Sequence, residues 1–363
     1  MKKVLLGLLL VFGLTACGEK TEAPKENTKP VVKIGAIFPL SGDSAEAGND
    51  LKNATIKMME QYNNGPIKYE VIFEDNQSGS AMKSISAIKK LVYIDKVTAV
   101  ISSFSAAAQA IAPIIENENV IQIALVTDLD PKKYKKIFSM FSSVEEDART
   151  LVELMKKQNV KKVVSFVQQM PAQISRFEHF ETEAEKNGIE VTKIDVISGN
   201  RNFNMDITKI STINPDMVAM FVVVPELDII AKQMKDAGLN IPKTSIEGIS
   251  FSANKEALFE NSTYIEGHHK QAEIIEKIKD EINSRGSIGF VYIYDSLTIL
   301  TNTINNFYET YSRIPSGDEL ASIIEKIDLF SGVAGDVYRK DHRFFGRSGI
   351  RKIINGQPVI VEE

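Results

Sequence analysis

The stretch Ser102-Ser103-Phe104-Ser105-Ala106-Ala107 brings three hydroxyls to one turn. Apolar Val97 to Ile101 before it reads as a strand, and the alanine-rich run behind it reads as a helix over Ser105 to Asn117. Unpaired N–H groups at such a helix start, with the helix dipole behind them, attract an anion. Ser105 can cap the helix or hold a ligand carboxylate, with Ser103, Phe104 and Ala106 forming the rest of an amide-rich mouth. A second polar turn, Thr127-Asp128, follows the apolar run ending at Val126, and either side chain can accept from an ammonium group or simply shape a turn before Pro131.

Catalytic chemistry finds little support. The histidines are His179, His268, His269 and His342. The adjacent pair would face opposite ways on a strand, and none stands at metal-ligand spacing from another. The one cysteine, Cys17, leaves no thiolate cluster and no intramolecular disulfide. No G-x-S-x-G elbow or phosphate-cradling glycine loop occurs, and Gly286-Ser287-Ile288-Gly289 reads as a loop before a helix. Neither an enzyme nor a metal or cofactor is expected. The formal charge of −5 is spread among mixed acids and bases without a basic block, which argues against a nucleic-acid partner. Tryptophan is absent and aromatics make up 8%, so a stacked-aromatic sugar site is disfavoured.

Strands alternate with helices along the chain. Strands are expected at Val31–Phe38, Tyr69–Phe73, Val97–Ile101 and Val120–Val126, separated by helices at Asp50–Tyr62, Ser80–Ile94 and Ser105–Asn117. A second series follows: helix Glu145–Gln158, strand Lys162–Val167, helix Ala172–Asn187, strand Ile189–Val196, helix Asn204–Ile213, strand Met217–Val224, helix Glu226–Ala237 and strand Ser245–Ile249. Helices at Ala272–Ser284, Phe290–Tyr311 and Asp318–Ile327 precede a β-rich tail from Phe330 to Val361. Such alternation predicts parallel sheets covered on both faces, and repeating it predicts two lobes whose strand ends face each other across a cleft.

Several local patterns resemble the type I periplasmic binding proteins, in particular the leucine/isoleucine/valine-binding branch. They are Ile34-Gly35 with Pro39-Leu40-Ser41-Gly42, Glu74-Asp75-Asn76-Gln77-Ser78, the Ser102–Ser105 turn, Glu247-Gly248, Tyr294-Asp295, Phe330-Ser331-Gly332-Val333-Ala334-Gly335 and Asn355-Gly356. Their order spans residues 31 to 361. The resemblance implies an α/β fold of two doubly wound, Rossmann-like lobes joined by three hinge crossovers. Lobe 1 would comprise residues 31–147 plus 271–348, and lobe 2 residues 148–270 plus 349–363. It implies capture of an amino acid, an amide or a short peptide by hinge closure, and delivery to the permease of an ABC importer. Ser105 falls on the family's carboxylate-binding serine, and Val126 where a backbone carbonyl faces the ligand. Thr127 or Asp128 falls near a second ligand-facing threonine, and Glu247 on the acid that binds the ligand's α-ammonium. Two clamp aromatics are missing: Gln168-Gln169-Met170 stands at one position, and Val222 or Val223 at the other. A roomier cleft is expected, with Gln169 and Val223 on its wall and Phe104 as compensation. The same fold also serves as a sensing or protein-interaction lipoprotein, and that reading competes with transport.

The start of the chain reads as targeting. Lys2-Lys3, the apolar run Val4–Leu14 and Leu14-Thr15-Ala16-Cys17 suit a signal peptide over residues 1–16. Leu-Thr-Ala-Cys resembles a lipobox, so Cys17 is expected to be acylated, with residues 17–30 as a polar tether. Each buried methylene of such an anchor adds about 0.8 kcal/mol. The expected location is the periplasmic or extracellular face of a membrane.

Overall fold

A computed structural model of the chain describes residues 29–362 apart from 128, 130–132, 268–271, 285–288 and 334. The expected signal peptide, Cys17, Asp128 and the His268-His269 pair lie outside the described residues. The first series runs β1 (Val31–Phe38), α1 (Ala45–Tyr62), β2 (Lys68–Asp75), α2 (Ala81–Lys90), a π-helical turn (Leu91–Asp95), β3 (Ala99–Ser103), α3 (Ser105–Asn117), β4 (Ile121–Leu125) and β5 (Ile137–Met140). The second runs α4 (Val144–Lys157), β6 (Lys162–Gln168), α5 (Pro171–Lys186), β7 (Glu190–Val196), α6 (Asn204–Ile213), β8 (Met217–Phe221), α7 (Glu226–Asp236), β9 (Lys243–Thr244), a 3-10 turn (Gly248–Phe251), α8 (Lys255–Phe259) and β10 (Thr263–Gly267). The chain then passes through α9 (Ala272–Ile282), α10 (Gly289–Tyr311), α11 (Gly317–Ile324), β11 (Leu329–Gly332), β12 (Gly335–Lys340) and β13 (Arg343–Phe345), and ends in β14 (Ser348–Ile354) and β15 (Gln357–Glu362).

These elements form two lobes. In lobe 1 an eight-stranded sheet is ordered β11-β12-β13-β5-β4-β3-β1-β2. Its β1 to β5 portion is parallel, as a sheet buried on both faces requires, and the tail adds an antiparallel edge. Alternation along β1 sends Ile34, Ala36 and Phe38 into one core layer and Ile37 into the other. In lobe 2 the parallel order β7-β6-β8-β9 is extended through a bridge between Ile246 and Ile265 to antiparallel β10-β14-β15. It too has a core layer on each face.

Three connections join the lobes. The first leaves β5 and enters α4 at residues 141–143; the second lies between β10 and α9; the third is Gly346-Arg347 between β13 and β14. Helix α4 packs on α5, β10 and β14 of lobe 2. It is capped by Ser143, whose hydroxyl accepts from the Glu146 amide at 3.3 Å. The sequence-based switch at residue 147 thus falls in its first turn.

The expected strand Ser245–Ile249 is replaced by the Ile246 bridge and a 3-10 turn, because Glu247 takes φ 61° and breaks the extended run. Three strands lie outside the expected ones: β5, β9 and β10, of four, two and five residues. The loop motifs prove to be joints. Asp295 of α10 accepts from the Val333 amide at 2.7 Å, and a Cβ on Gly332 would lie 2.5 Å from its carboxylate. The acid of one motif thus requires the glycine of another.

Candidate functional site

The carboxyl ends of β1, β2 and β3 build the mouth of lobe 1. Asp75 ends β2 and accepts from the Leu40 amide at 2.9 Å, the Ser41 hydroxyl at 2.5 Å and the Gln77 amide at 2.8 Å. Burial pulls its pKa up, but these hydrogen bonds outweigh that and hold it below the usual carboxylate range. The next residue, Asn76, is fully buried; its amide donates to the Ser103 carbonyl at 3.3 Å and its oxygen accepts from Gly79 at 2.9 Å. These bonds fix the end of β3 and the loop beside it.

Phe104 then takes φ 70°, ψ 122°, a region that side-chain-bearing residues rarely occupy. Its ring lies on Gly79, where a Cβ would be 3.0 Å from Cδ1. Phe104, not Ser105, is the N-cap residue of α3, and no side chain caps that helix. The first amides of α3 are thus left to solvent or a guest. The Ser103 hydroxyl is buried and has no hydrogen-bond partner. An uncapped helix start beside an orphan hydroxyl is a donor-rich group suited to an anion.

Across the crossovers, the end of β9 presents Glu247, which is 2% exposed. Its backbone is anchored by its amide on the Ile265 carbonyl at 2.8 Å, and Gly248 follows because a Cβ there would lie 2.7 Å from the Val222 carbonyl. One carboxylate oxygen pairs with the Arg176 guanidinium and the other accepts from Ser142 Oγ at 3.3 Å. Arg176 comes from the second turn of α5, is 5% exposed, and lies 6.0 Å from the ring centre of Phe141 in the first crossover. The Phe141 ring packs at 4.4 Å on Tyr292 of α10, so a continuous contact runs from lobe 2 into lobe 1. Helices α3 and α5 also touch. The partner expected for Glu247 from a ligand's ammonium is supplied here by the chain itself.

More charge gathers behind this pair. Fully buried Asp147 accepts from Ser348 Oγ at 2.5 Å, while its Oδ2 has no partner. Burial, then the nearby Glu247 charge, pushes its pKa up to about 7. Burial also raises the Glu247 pKa, opposed by the Arg176 charge. Glu266, raised by burial and opposed by Arg351, forms a second buried pair with that arginine.

The sequence-derived residues divide in position. Ser103, Phe104, Ser105 and Ala106 stand at the α3 mouth, with Ser105 half-buried and Ala106 exposed. Val126 and Thr127 are buried directly after β4, and Asp128 lies outside the described residues. Exposed Gln169 folds back onto the Val167 carbonyl at 3.1 Å and Asp195 at 2.9 Å, on the β7 side of lobe 2. The buried amide is its neighbour Gln168, which accepts from the Val223 amide at 3.0 Å and donates to Ser198 at 3.0 Å. Sequence reasoning missed Arg176, Asp147, Ser142 and Tyr292. The first carried no signal beyond an arginine on a helix with little amphipathic contrast. Two surface concavities, of about 380 Å³ beside Glu145 and His179 and about 440 Å³ beside Lys96 and Arg313, include none of these residues.

Residues 31–261 match the family model described as periplasmic binding protein. The Leu/Ile/Val-binding protein homolog 6 of Brucella abortus (strain 2308) is 27% identical over 176 residues, 46% of this chain and 42% of that relative, so less than half of the relative is spanned. The fold is shared with a leucine binding protein of Thermotoga maritima (TM-score 0.81, 18% identity, 91% of this chain and 97% of that one). It is also shared with a Rhodopseudomonas palustris BisB5 solute binding protein in complex with 3,4-dihydroxybenzoic acid (0.79, 19%, 92% and 96%). A third similar structure is the branched-chain amino acid transporter substrate binding protein of Streptococcus pneumoniae in complex with isoleucine (0.78, 19%, 92% and 100%).

Proposed function

The chain belongs to the periplasmic binding protein family, and from that premise we propose that it captures a small carboxylate-bearing solute between its lobes and delivers it to the permease of an ABC importer. One observation carries the reading: the uncapped start of α3 beside the buried, partnerless Ser103 hydroxyl. Leucine, isoleucine and 3,4-dihydroxybenzoate, named with the similar structures, all carry a carboxylate such a mouth would receive. In this reading the carboxylate docks first on lobe 1, at Ser103, Ser105 and the amides around Ala106. Rotation about the three crossovers then brings lobe 2 over it, and the differential contacts of the closed state supply the closing free energy. Cys17 holds the protein to the outer side of a membrane through acyl chains, with residues 18–30 as its tether.

The test is a thermal-shift screen of the tether-less protein with amino acids, aromatic acids and short peptides. A guest at 100-fold its dissociation constant adds about 2.7 kcal/mol of stability. Ser103→Ala should weaken the guest about tenfold, the cost of one hydrogen bond to a charged group. A second reading, a sensing or protein-interaction lipoprotein, draws on the Arg176–Glu247 pair, which already satisfies lobe 2's carboxylate from within. If every compound leaves the melting point unmoved, that second reading takes over.

A further inference from the structure

Resting on the capture reading above, we propose that Arg176 sets the ligand class: it fills the cationic position beside Glu247, so the cleft takes carboxylates that lack an α-ammonium group and rejects α-amino acids.

Both oxygens of Glu247 are engaged, one by the Arg176 guanidinium and the other by Ser142 Oγ at 3.3 Å. The two ions are 2% and 5% exposed, so water contributes little to either. A second cation arriving there meets a carboxylate already neutralised. It must shed its own hydration for almost no new attraction, or displace Arg176 and leave a guanidinium buried without a partner. Arg176 has little room to retreat, because its guanidinium lies against Phe141 and Phe141 against Tyr292.

The orphan groups lean the same way. Ser103 Oγ and Arg176 Nε are buried donors with no partner, one on each lobe, and α3 starts without a side-chain cap. What these groups lack is an acceptor, and a carboxylate provides one. The opposing group is Asp147 Oδ2, the remaining unpartnered carboxylate oxygen in this neighbourhood. Burial and the adjacent Glu247 charge raise its pKa to about 7, and its other oxygen is held by Ser348 Oγ at 2.5 Å. Glu266 is taken by Arg351.

Matched pairs test this: leucine against 4-methylpentanoate, and phenylalanine against 3-phenylpropanoate, titrated calorimetrically into the tether-less protein at one pH. The parent should favour the des-amino acid of a pair by about tenfold or more. Arg176→Met keeps the apolar stem and frees Glu247, and should shift that ratio about tenfold or more towards the amino acid. Glu247→Gln, which keeps the arginine, should leave the des-amino acid bound and gain no amino acid. It also serves if Arg176→Met does not fold. Parent protein that binds leucine or phenylalanine as tightly as its des-amino partner overturns the proposal, as does loss of amino-acid binding in Glu247→Gln. An Asp147→Asn variant that loses amino-acid binding places the ammonium at Asp147 and overturns it too. If neither pair nor any compound of the thermal-shift screen binds the folded parent, the capture reading has failed and the proposal falls with it; amino-acid preference leaves capture standing and removes only the role of Arg176.

Discussion

Two causes act together on the Asp147 carboxyl: complete burial and a neighbouring carboxylate. The consequence for stability has a definite sign. Its folded-state pKa, about 7, is above the ordinary carboxylate value, so the folded state holds the proton more tightly than the unfolded chain. The stability this contributes is fully present below the unfolded value of about 4 and is lost as pH rises through the folded value. Asp147→Asn keeps the shape without the titration. Its melting temperature should match or trail the parent's at pH 4 and exceed it at pH 8, read from paired thermal melts. A constant difference across that range would remove Asp147 from the acid balance of the fold. Glu247 has a raised pKa from the same burial, opposed by the charge of its arginine, so it acts on that profile in the same direction.

At the scale of elements, the site depends on strand ends held in place by groups far along the chain. Loop Pro39–Ser41 hangs from Asp75, and the end of β3 from Asn76. Helix α10 is tied to the tail where Asp295 meets Val333, with Gly332 in van der Waals contact. A methyl added at Gly332 collides with a carboxylate that cannot leave without breaking its hydrogen bond. Gly332→Ala should therefore cost about 1–3 kcal/mol, the usual range for overpacking a dense interior. Chemical denaturation measures this, and an unchanged midpoint would mean that α10 can slide away from β11. The same reasoning applies at Gly248, where the obstacle is the Val222 carbonyl.

At the scale of the molecule, each lobe has its own two-layer core, so the capture reading places any hinge at the crossovers. Polar groups tie the elements beside the crossovers: Ser142 of the first crossover reaches Glu247, and Ser348 at the start of β14 reaches Asp147 in the first turn of α4. A captured solute should shrink the radius of gyration of the tether-less protein in solution scattering, and identical curves with saturating guest would rule out hinge closure. For the whole chain, Cys17→Ser should move the protein from the membrane to the soluble fraction of cells expressing it; retention would show that acylation at Cys17 is not its anchor.

The sequence by itself determined the alternation of strands and helices, because burial on both faces of a parallel sheet imposes continuous apolar runs separated by amphipathic ones. It also located the α3 mouth, since a strand, a serine-rich turn and a helix start are contiguous there: Ser105–Asn117 is the helix both expected and observed. It marked Glu247 through the glycine that must follow it. Only the tertiary structure decided what Glu247 touches. Arg176 lies 71 residues away in the chain, and nothing local distinguishes an arginine facing a buried acid from one facing water. The same holds for Asp147, an acid in the first turn of a helix, where acids ordinarily face solvent and the helix dipole. Its burial comes from β14, which returns from the far end of the chain to lie against it. Periodicity records which face of an element is apolar; the pairing of distant charges is fixed only when elements far apart in the chain pack together.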